Sequence, residues 1–463
     1  MSIVAGFMVP HPPMIVKEVG HGSEEQVRKT IESYEKVADE IAAIAPDTII
    51  ITSPHTVMYA DYFHISPGKS AKGSFMSFGA PEVKFNEAYD SELVDVIDEL
   101  AVRESLNAGT MGERDSSLDH GTMVPLYFIR QKYKGGKIIR VGLSGLPFSD
   151  HYKLGQLIKE AVGKLGRKAV FVGSGDLSHK LQTYGPYGFA EEGPVYDRRI
   201  MDVCGRGAFG ELFDFDEHFC EKASECGHRS FIIMAGAFDG EKVKATEYSH
   251  EDVTGVGYGI CSFYPTGEEC SDRKFLDIYL NKSLKELEEK RSKSDPYVNL
   301  ARKTIEEYIL NGNIIDVPDN LPKEMISKTA GAFVSIHKQG NLRGCIGTIL
   351  ATRENIAKEI IGNAISASTK DPRFNPIKAD ELKWLDINVD ILGEPEDIDS
   401  EDMLDVKRYG VIVTKGFKRG LLLPDLDGVE TVKDQIAIAK RKAGISEYDD
   451  EVSLQRFEVI RHY

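Results

Sequence analysis

Four histidines in this sequence follow apolar runs or glycine-rich turns in a way that would gather them on one edge of a sheet. Ile3-Val4-Ala5-Gly6-Phe7-Met8-Val9 runs into Pro10-His11-Pro12-Pro13, and Ile49-Ile50-Ile51-Thr52 runs into Ser53-Pro54-His55. Ala169-Val170-Phe171-Val172 leads into Gly173-Ser174-Gly175-Asp176-Leu177-Ser178-His179, and Asp119-His120-Gly121-Thr122 precedes a further apolar segment. A short β-branched apolar run reads as a strand buried on both faces. Proline ends such a strand and turns the chain. The histidine that follows is lifted out at the carboxyl end, where open α/β sheets collect their ligands. Glu225-Cys226-Gly227-His228 adds a carboxylate and a thiol at the start of a later helical segment. Neutral imidazole donates well to a borderline metal. Two histidines and a carboxylate on one face of an ion make the non-haem Fe(II) arrangement, with positions left open for substrate and oxygen. Three protein ligands also suit catalytic zinc, so ligand types alone leave iron, zinc, manganese and copper open.

A lone histidine is more often a surface or hydrogen-bonded residue than a ligand. His21, His64, His151, His218 and His250 lack the strand-edge context and read as ordinary. His228 stands near enough to Glu225 to support it, and no more is assigned to it.

The elements that would position these residues follow from periodicity. Ser23 opens a helix, with Gln26 placed for a capping box and Val27, Ile31, Tyr34, Ala38, Ile41 and Ala45 on its inner face. Pro46-Asp47 ends that helix and feeds the isoleucine strand, giving a right-handed βαβ unit. The pattern returns with a strand over Ile138–Leu143, a helix over Leu154–Leu165 and a strand over Ala169–Val172. Residues 59–87 show no long period and read as irregular or short antiparallel structure. The fold expected is an α/β N-terminal domain, residues 1–265, with a largely parallel central sheet. Residues 266–294 read as a charged linker. A smaller α+β domain, residues 295–463, opens on Asp295 as cap and Pro296 at the first helical position.

Bulk properties narrow the function classes. At 463 residues the chain is too long for one core. A net charge of −17 argues against a general nucleic-acid or anionic-membrane surface. No apolar run approaches membrane-spanning length, and no basic stretch leads into an apolar core as in a secretory signal. The six cysteines form no C-x-x-C pair, as expected of reduced thiols in the cytoplasm. Oligomeric state stays open.

Residues 1 to about 265 resemble the class III extradiol dioxygenase family, the protocatechuate-dioxygenase β-subunit fold, and its Memo-like branch. The motifs that carry the resemblance are Val9-Pro10-His11-Pro12-Pro13, Ser53-Pro54-His55, Asp119-His120-Gly121-Thr122-Met123-Val124-Pro125-Leu126 and Gly175-Asp176-Leu177-Ser178-His179. The resemblance implies Fe(II) held by His11, His55 and a glutamate, for which Glu225 is the best match. It implies His179 as acid/base on a catechol, and His120 steadying bound oxygen or a substrate hydroxyl. In Memo-like proteins a cysteine matching Cys226 replaces the carboxylate. Adjacent helical residues point about 100° apart, so Glu225 and Cys226 are alternatives; Glu225 is favoured because it completes the two-histidine, one-carboxylate set.

From about Asp295 to Tyr463 the sequence resembles an AMMECR1 domain, through Asn341-Leu342-Arg343-Gly344-Cys345-Ile346-Gly347-Thr348, Asp371-Pro372-Arg373-Phe374, Tyr409-Gly410-Val411 and Arg419-Gly420-Leu421-Leu422-Leu423-Pro424. Cys345 between glycines reads either as a nucleophile on a tight turn beside Arg343, with His337 and Asp371 as partners, or as a small buried thiol. The fusion resembles the AmmeMemoRadiSam set, which implies a radical-SAM partner protein. The expected function is an Fe(II)-dependent extradiol-type dioxygenase or related C–C lyase on a small catechol-like, phenolic or enolisable substrate. The alternative is a Memo-like metal-binding or scaffold protein without ring-cleaving activity.

Overall fold

Successive isoleucines before His55 point to opposite sides of a sheet: Ile50 enters one apolar core, Ile49 and Ile51 another. That two-sided burial is why the run carries no polar alternation. The computed structural model describes residues 2–114, 116–426, 428–449 and 451–463, and the chain divides into two units, Met1–Leu280 and Asn281–Tyr463.

The first unit contains strands β1 (Ile3–Val9), β2 (Thr48–Ser53), β3 (Phe63–His64), β4 (Ser70–Phe75), β5 (Ala80–Ala88), β6 (Ala108–Gly109), β7 (Lys137–Gly142), β8 (Ala169–Ser174), β9 (Glu241–Glu251) and β10 (Tyr258–Glu269). Its helices are α1 (Lys17–Gly20), α2 (Arg28–Ile44), α3 (Ser91–Arg103), α4 (His120–Lys132), α5 (Phe148–Lys164), α6 (Glu192–Arg206), α7 (Glu217–Ala223) and α8 (His228–Gly236), and α9 (Phe275–Ser292) begins in it. The main sheet has the order β7-β2-β8-β1-β10-β9. Its first four strands are parallel, and β10 and β9 add an antiparallel edge. On one face Leu93, Leu157, Ile200 and Phe231 from α3, α5, α6 and α8 pack with Ile50 and Phe171. On the other, Tyr34 and Ile41 of α2 and Val124 and Ile129 of α4 pack with Ile49, Ile51 and Val170. Each large apolar side chain so buried contributes about 1.5–3 kcal/mol. The result is three layers, helix on sheet on helix.

Local readings shift at two places, the start of α2 and residues 266–294, while the short antiparallel structure expected within 59–87 is present. Ser23 does not cap a helix: its hydroxyl donates to the Gly20 carbonyl at 2.6 Å, Ser23–Val27 is a 3-10 turn, and α2 starts at Arg28. Residues 59–87 contain the β4–β5 hairpin. Residues 266–294, read as a charged linker, carry the end of β10 and the whole of α9, whose Leu276 is buried in the first core.

The second unit contains helices α10 (Pro296–Asn311), α11 (Lys323–Ser327), α12 (Ile356–Thr369) and α13 (Val432–Lys442). Its strands are β11 (Ala332–Lys338), β12 (Asn341–Gly347), β13 (Leu385–Leu392), β14 (Glu396–Ile398), β15 (Tyr409–Lys415), β16 (Lys418–Leu422) and β17 (Ser453–His462). They form one antiparallel sheet, β12-β11-β13-β17-β15-β16, with β14 on β17. Asp295 caps α10, its Oδ1 accepting the Tyr297 and Val298 N–H groups at 2.9 and 3.1 Å. Leu300, Ile305 and Ile360 of α10 and α12 cover Val334 and Ile387, while Ile436 of α13 covers Val411 and Leu422. This is the smaller α+β unit. Among the described residues no helix is long and apolar enough to cross a membrane.

Candidate metal centre

The carboxyl ends of β2, β8 and β1 are neighbours in the sheet, so their loops open onto one edge. His11 leaves β1 almost fully buried, its backbone N–H donating to Asp176 Oδ1 at 2.7 Å. The loop after β8 is tied to β1 by the Gly175 N–H on the Val9 carbonyl, at 2.9 Å. His55 leaves β2, and its N–H rests on Ser53 Oγ, which donates to Asp119 Oδ1 at 2.6 Å. Asp119 also caps α4, accepting the Thr122 N–H at 3.0 Å. His120 is therefore the first residue of α4, and its ring lies 4.0 Å from that of His55.

A chain of local constraints sets the His11 ring. Pro125 sits inside α4 and has no N–H to give the Gly121 carbonyl four residues back. That carbonyl instead accepts the Ser174 hydroxyl at 2.6 Å. With its proton so committed, Ser174 Oγ can only accept from His11 Nδ1, 3.0 Å away. The Nδ1–H tautomer leaves the Nε2 lone pair facing the loop edge, as a metal ligand requires.

Around that lone pair, His55 Nε2 lies 3.0 Å and Cys226 Sγ 3.6 Å from His11 Nε2. The donor atoms of His11, His55 and Cys226 all fall within 4.8 Å of one another. A second such group, Asp176, His179 and Cys226, shares the thiol. Cys226 is seated by the Asp176 N–H, which donates to Sγ at 3.3 Å. Glycines make that seat possible, since a Cβ on Gly175 would lie 2.0 Å from the Gly227 Cα.

Glu225, expected as the third ligand, turns the other way. Its carboxylate accepts the His228 N–H at 2.6 Å at the start of α8, with the Gly227 N–H and the Tyr196 hydroxyl as further partners. It takes up the first N–H of that helix, a capping role played from two residues before the N-cap residue Gly227. Burial pushes its carboxyl up to about 7. Of the two adjacent side chains, Cys226 is the one brought to His11 and His55. Ligand-set preference could not see that Glu225 was needed three residues on as a cap. His228 is buried against Tyr196 and the Leu212 carbonyl and supports packing.

All four site histidines are held below the ordinary range, chiefly by burial. His11 lies well below it, with His55, His120 and His179 adding repulsion, and His55 is lowered too. His120 and His179 fall to about 4. They are neutral at physiological pH and keep their lone pairs. His179 Nε2 is buried with no hydrogen-bond partner among the described residues. Asp176 was quoted within a motif but given no role by sequence reasoning; burial pushes its carboxyl up to about 7.

The donor set fits a metal ion. With bonds of about 2.1 Å to nitrogen and about 2.3 Å to sulfur, neighbouring ligand atoms stand roughly 3.0–3.6 Å apart; the observed pairs are at 3.0 and 3.6 Å. A hydrogen bond from His55 to His11 would account for the shorter spacing alone. It would leave the inward thiol and the unpartnered His179 nitrogen unexplained. Burial, Asp176 and Glu225 raise the Cys226 thiol well above its usual range, so a cation is what would make it a thiolate here.

Comparison with known proteins agrees with this architecture. Residues 5–261 match the family model of the catalytic LigB subunit of aromatic ring-opening dioxygenase. The chain belongs to the LigB family. Behind its LigB part, residues 298–462 match AMMECR1, so the second unit is an AMMECR1 domain. Protein CA_C1420 of Clostridium acetobutylicum is 41% identical to this LigB-family chain over 100% of it and 99% of that protein. A protein of Thermotoga maritima is 52% identical over 36% of this chain and 97% of its own. A crystal structure from Pyrococcus horikoshii, 31% identical, covers 36% of this chain and 88% of that one, with a TM-score of 0.34.

In the AMMECR1 domain Cys345 lies within β12, not on a tight turn. Its Sγ is 3.3 Å from Ser335 Oγ, and its N–H donates to Asp371 Oδ2 at 2.8 Å. Asp371 is ion-paired to Arg373, whose guanidinium also donates to the Cys345 carbonyl. Arg343 is engaged by Glu381, and His337 interacts with Asp386 and Asn388. Of the expected partners, only Asp371 meets Cys345, through its backbone.

Proposed function

We propose that the N-terminal unit is a metal-dependent enzyme of the extradiol type, opening or cleaving a C–C bond of a small catechol-like or phenolic ring. In this reading His11, His55 and Cys226 hold the metal, and His179 and His120 serve the substrate. One observation carries it: side chains from separate loops converge at the edge of β2, β8 and β1, with the His11 tautomer already set. A bound divalent ion such as Fe(II) would lower a phenol's pKa and hold the ring beside its co-reactant. His179, neutral above pH about 4 and with a free Nε2, accepts the substrate's second proton and returns it later. His120, its ring tilted against that of His55 at the start of α4, hydrogen-bonds a substrate oxygen on the other flank.

The test begins with the metal that co-purifies anaerobically, followed by Fe(II) reconstitution and a panel of catechols. Ring turnover that survives His179→Ala would remove the acid/base role. Full metal content in a His11→Ala, His55→Ala double variant would remove the site.

Cys226 favours a second reading. A thiolate is a softer ligand than a carboxylate and suits copper or zinc as well as iron. The unit would then be a metal-binding protein without ring-cleaving activity, working with a radical-SAM partner. Stoichiometric metal with no turnover across the panel supports that reading.

A further inference from the structure

The donors around Cys226 are more than one ion can use. They divide into two triads, His11, His55 and Cys226 on one side and Asp176, His179 and Cys226 on the other, each within 4.8 Å and sharing only the thiol. No two ligands of one ion stand farther apart than twice the longest ligand bond, about 4.6 Å. Neither Asp176 nor His179 joins the first triad, so an ion held there leaves both without a metal.

Both residues are nonetheless held firmly beside the sulfur. They lie three positions apart on the loop after β8, and that loop is pinned at successive residues. The Asp176 N–H donates to Cys226 Sγ at 3.3 Å, the Leu177 N–H to the Gly257 carbonyl at 2.9 Å and the Ser178 N–H to Asp197 Oδ1 at 2.9 Å. Asp176 Oδ1 accepts the His11 N–H at 2.7 Å, and among the described residues the other carboxylate oxygen accepts no hydrogen bond. His179 Nε2 is buried and likewise without a partner. Buried polar atoms left unpaired are costly, and a cation between these two would satisfy both.

Carboxylate, imidazole and thiolate together suit a borderline divalent ion such as zinc. A thiolate has lone pairs for two ions, which would stand roughly 3.5–4 Å apart, the spacing of two-metal sites. The Asp176 carboxylate brings negative charge to the side away from His11 and His55, where a second cation beside the first requires it.

We propose that Asp176, His179 and Cys226 form a second site for a divalent transition cation, joined to the first through a bridging Cys226 thiolate. This rests on the reading of His11, His55 and Cys226 as the first site. With both filled, His179 is a ligand and no longer a free base, so the second ion opposes the acid/base role proposed for it.

The full chain, stripped of metal, is titrated anaerobically with zinc by calorimetry, and bound metal is counted by elemental analysis. Two equivalents per chain are expected, the second at least about tenfold weaker because the first ion repels it. Asp176→Asn, which keeps an oxygen for the His11 N–H, and His179→Ala each lose the second equivalent and keep the first, which also shows that they fold. Cobalt(II) reports the bridge: its electron paramagnetic resonance signal falls as the second equivalent is added, because two ions on one sulfur couple. A single equivalent in the wild type, a second equivalent that survives both substitutions, or two uncoupled cobalt signals overturns the proposal. Failure of the wild type to bind any zinc overturns the first-site reading itself, and this proposal with it.

Discussion

The Ser174 hydroxyl donates to the Gly121 carbonyl at 2.6 Å, an acceptor that Pro125 leaves without its helical donor. Because that proton is committed, Ser174 orients His11 rather than competing with it. Ser174→Ala removes the acceptor for His11 Nδ1–H and frees the ring to take the wrong tautomer. Metal affinity is expected to fall about ten- to a hundredfold, as for other lost partners of ligating histidines. Competition with a chelator of known affinity measures it; Pro125→Ala, which keeps the serine, falls less.

The close passage of Gly175 and Gly227 is a second support. An added methyl on Gly175 would lie 2.0 Å from the Gly227 Cα, backbone against backbone, with no side chain to move aside. Gly175→Ala is expected to cost about 1–3 kcal/mol through overpacking and to displace Cys226 from His11. Thermal melts of the metal-free protein and bound-metal stoichiometry read the two effects separately.

Metal binding should depend on pH through the thiol. The Cys226 thiol is raised well above its ordinary range, whereas His120 and His179 lie at about 4 and His11 and His55 are lowered. The imidazoles are already neutral near pH 7, so binding releases about one proton from Cys226, besides any from Asp176 and Glu225, whose carboxyls lie at about 7. Zinc affinity should therefore rise about tenfold per pH unit between about pH 6 and 8, and weaken as pH falls. Calorimetry in buffers of different ionisation enthalpy counts the proton; release of none contradicts a thiolate ligand.

The AMMECR1 domain offers an independent check. Arg373 holds the Asp371 carboxyl down at about 2, so the ionised pair stabilises the fold above the usual carboxylate range near pH 4. That contribution is lost as pH falls from about 4 through about 2. Asp371→Asn should lower the melting temperature at pH 7 and flatten its decline in that acid window. An unchanged acid profile would argue against the pair.

Much of the first unit was legible because two-sided burial writes itself as uninterrupted apolar runs. Ile49–Thr52 and Ala169–Val172 read as parallel strands, and the Pro or Gly after each marked where His11, His55 and His179 emerge. What stayed hidden was set by tertiary hydrogen bonds. Glu225 looks like the natural third ligand until the N-terminus of α8 is seen to need its carboxylate. Ser174 and Asp176 lay inside the runs singled out, but their roles depend on contacts with residues 50 or more positions away, and Pro125 matters because the carbonyl it leaves free meets Ser174. The start of α2 was misplaced because Ser23 has the type of a cap while its hydroxyl serves Gly20. Cys345 looked like a turn residue because its flanking glycines admit close neighbours within a sheet as readily as they make turns.

The central claim is that Cys226, not Glu225, completes the ligand set with His11 and His55. The direct measurement is bound metal per chain, by elemental analysis after anaerobic reconstitution, in Cys226→Ala and Glu225→Gln. Cys226→Ala is expected to lose most of its metal, while Glu225→Gln keeps near-wild-type content and gives up about 1 kcal/mol of stability as a weakened helix cap. Retained metal in Cys226→Ala together with its loss in Glu225→Gln would contradict the account.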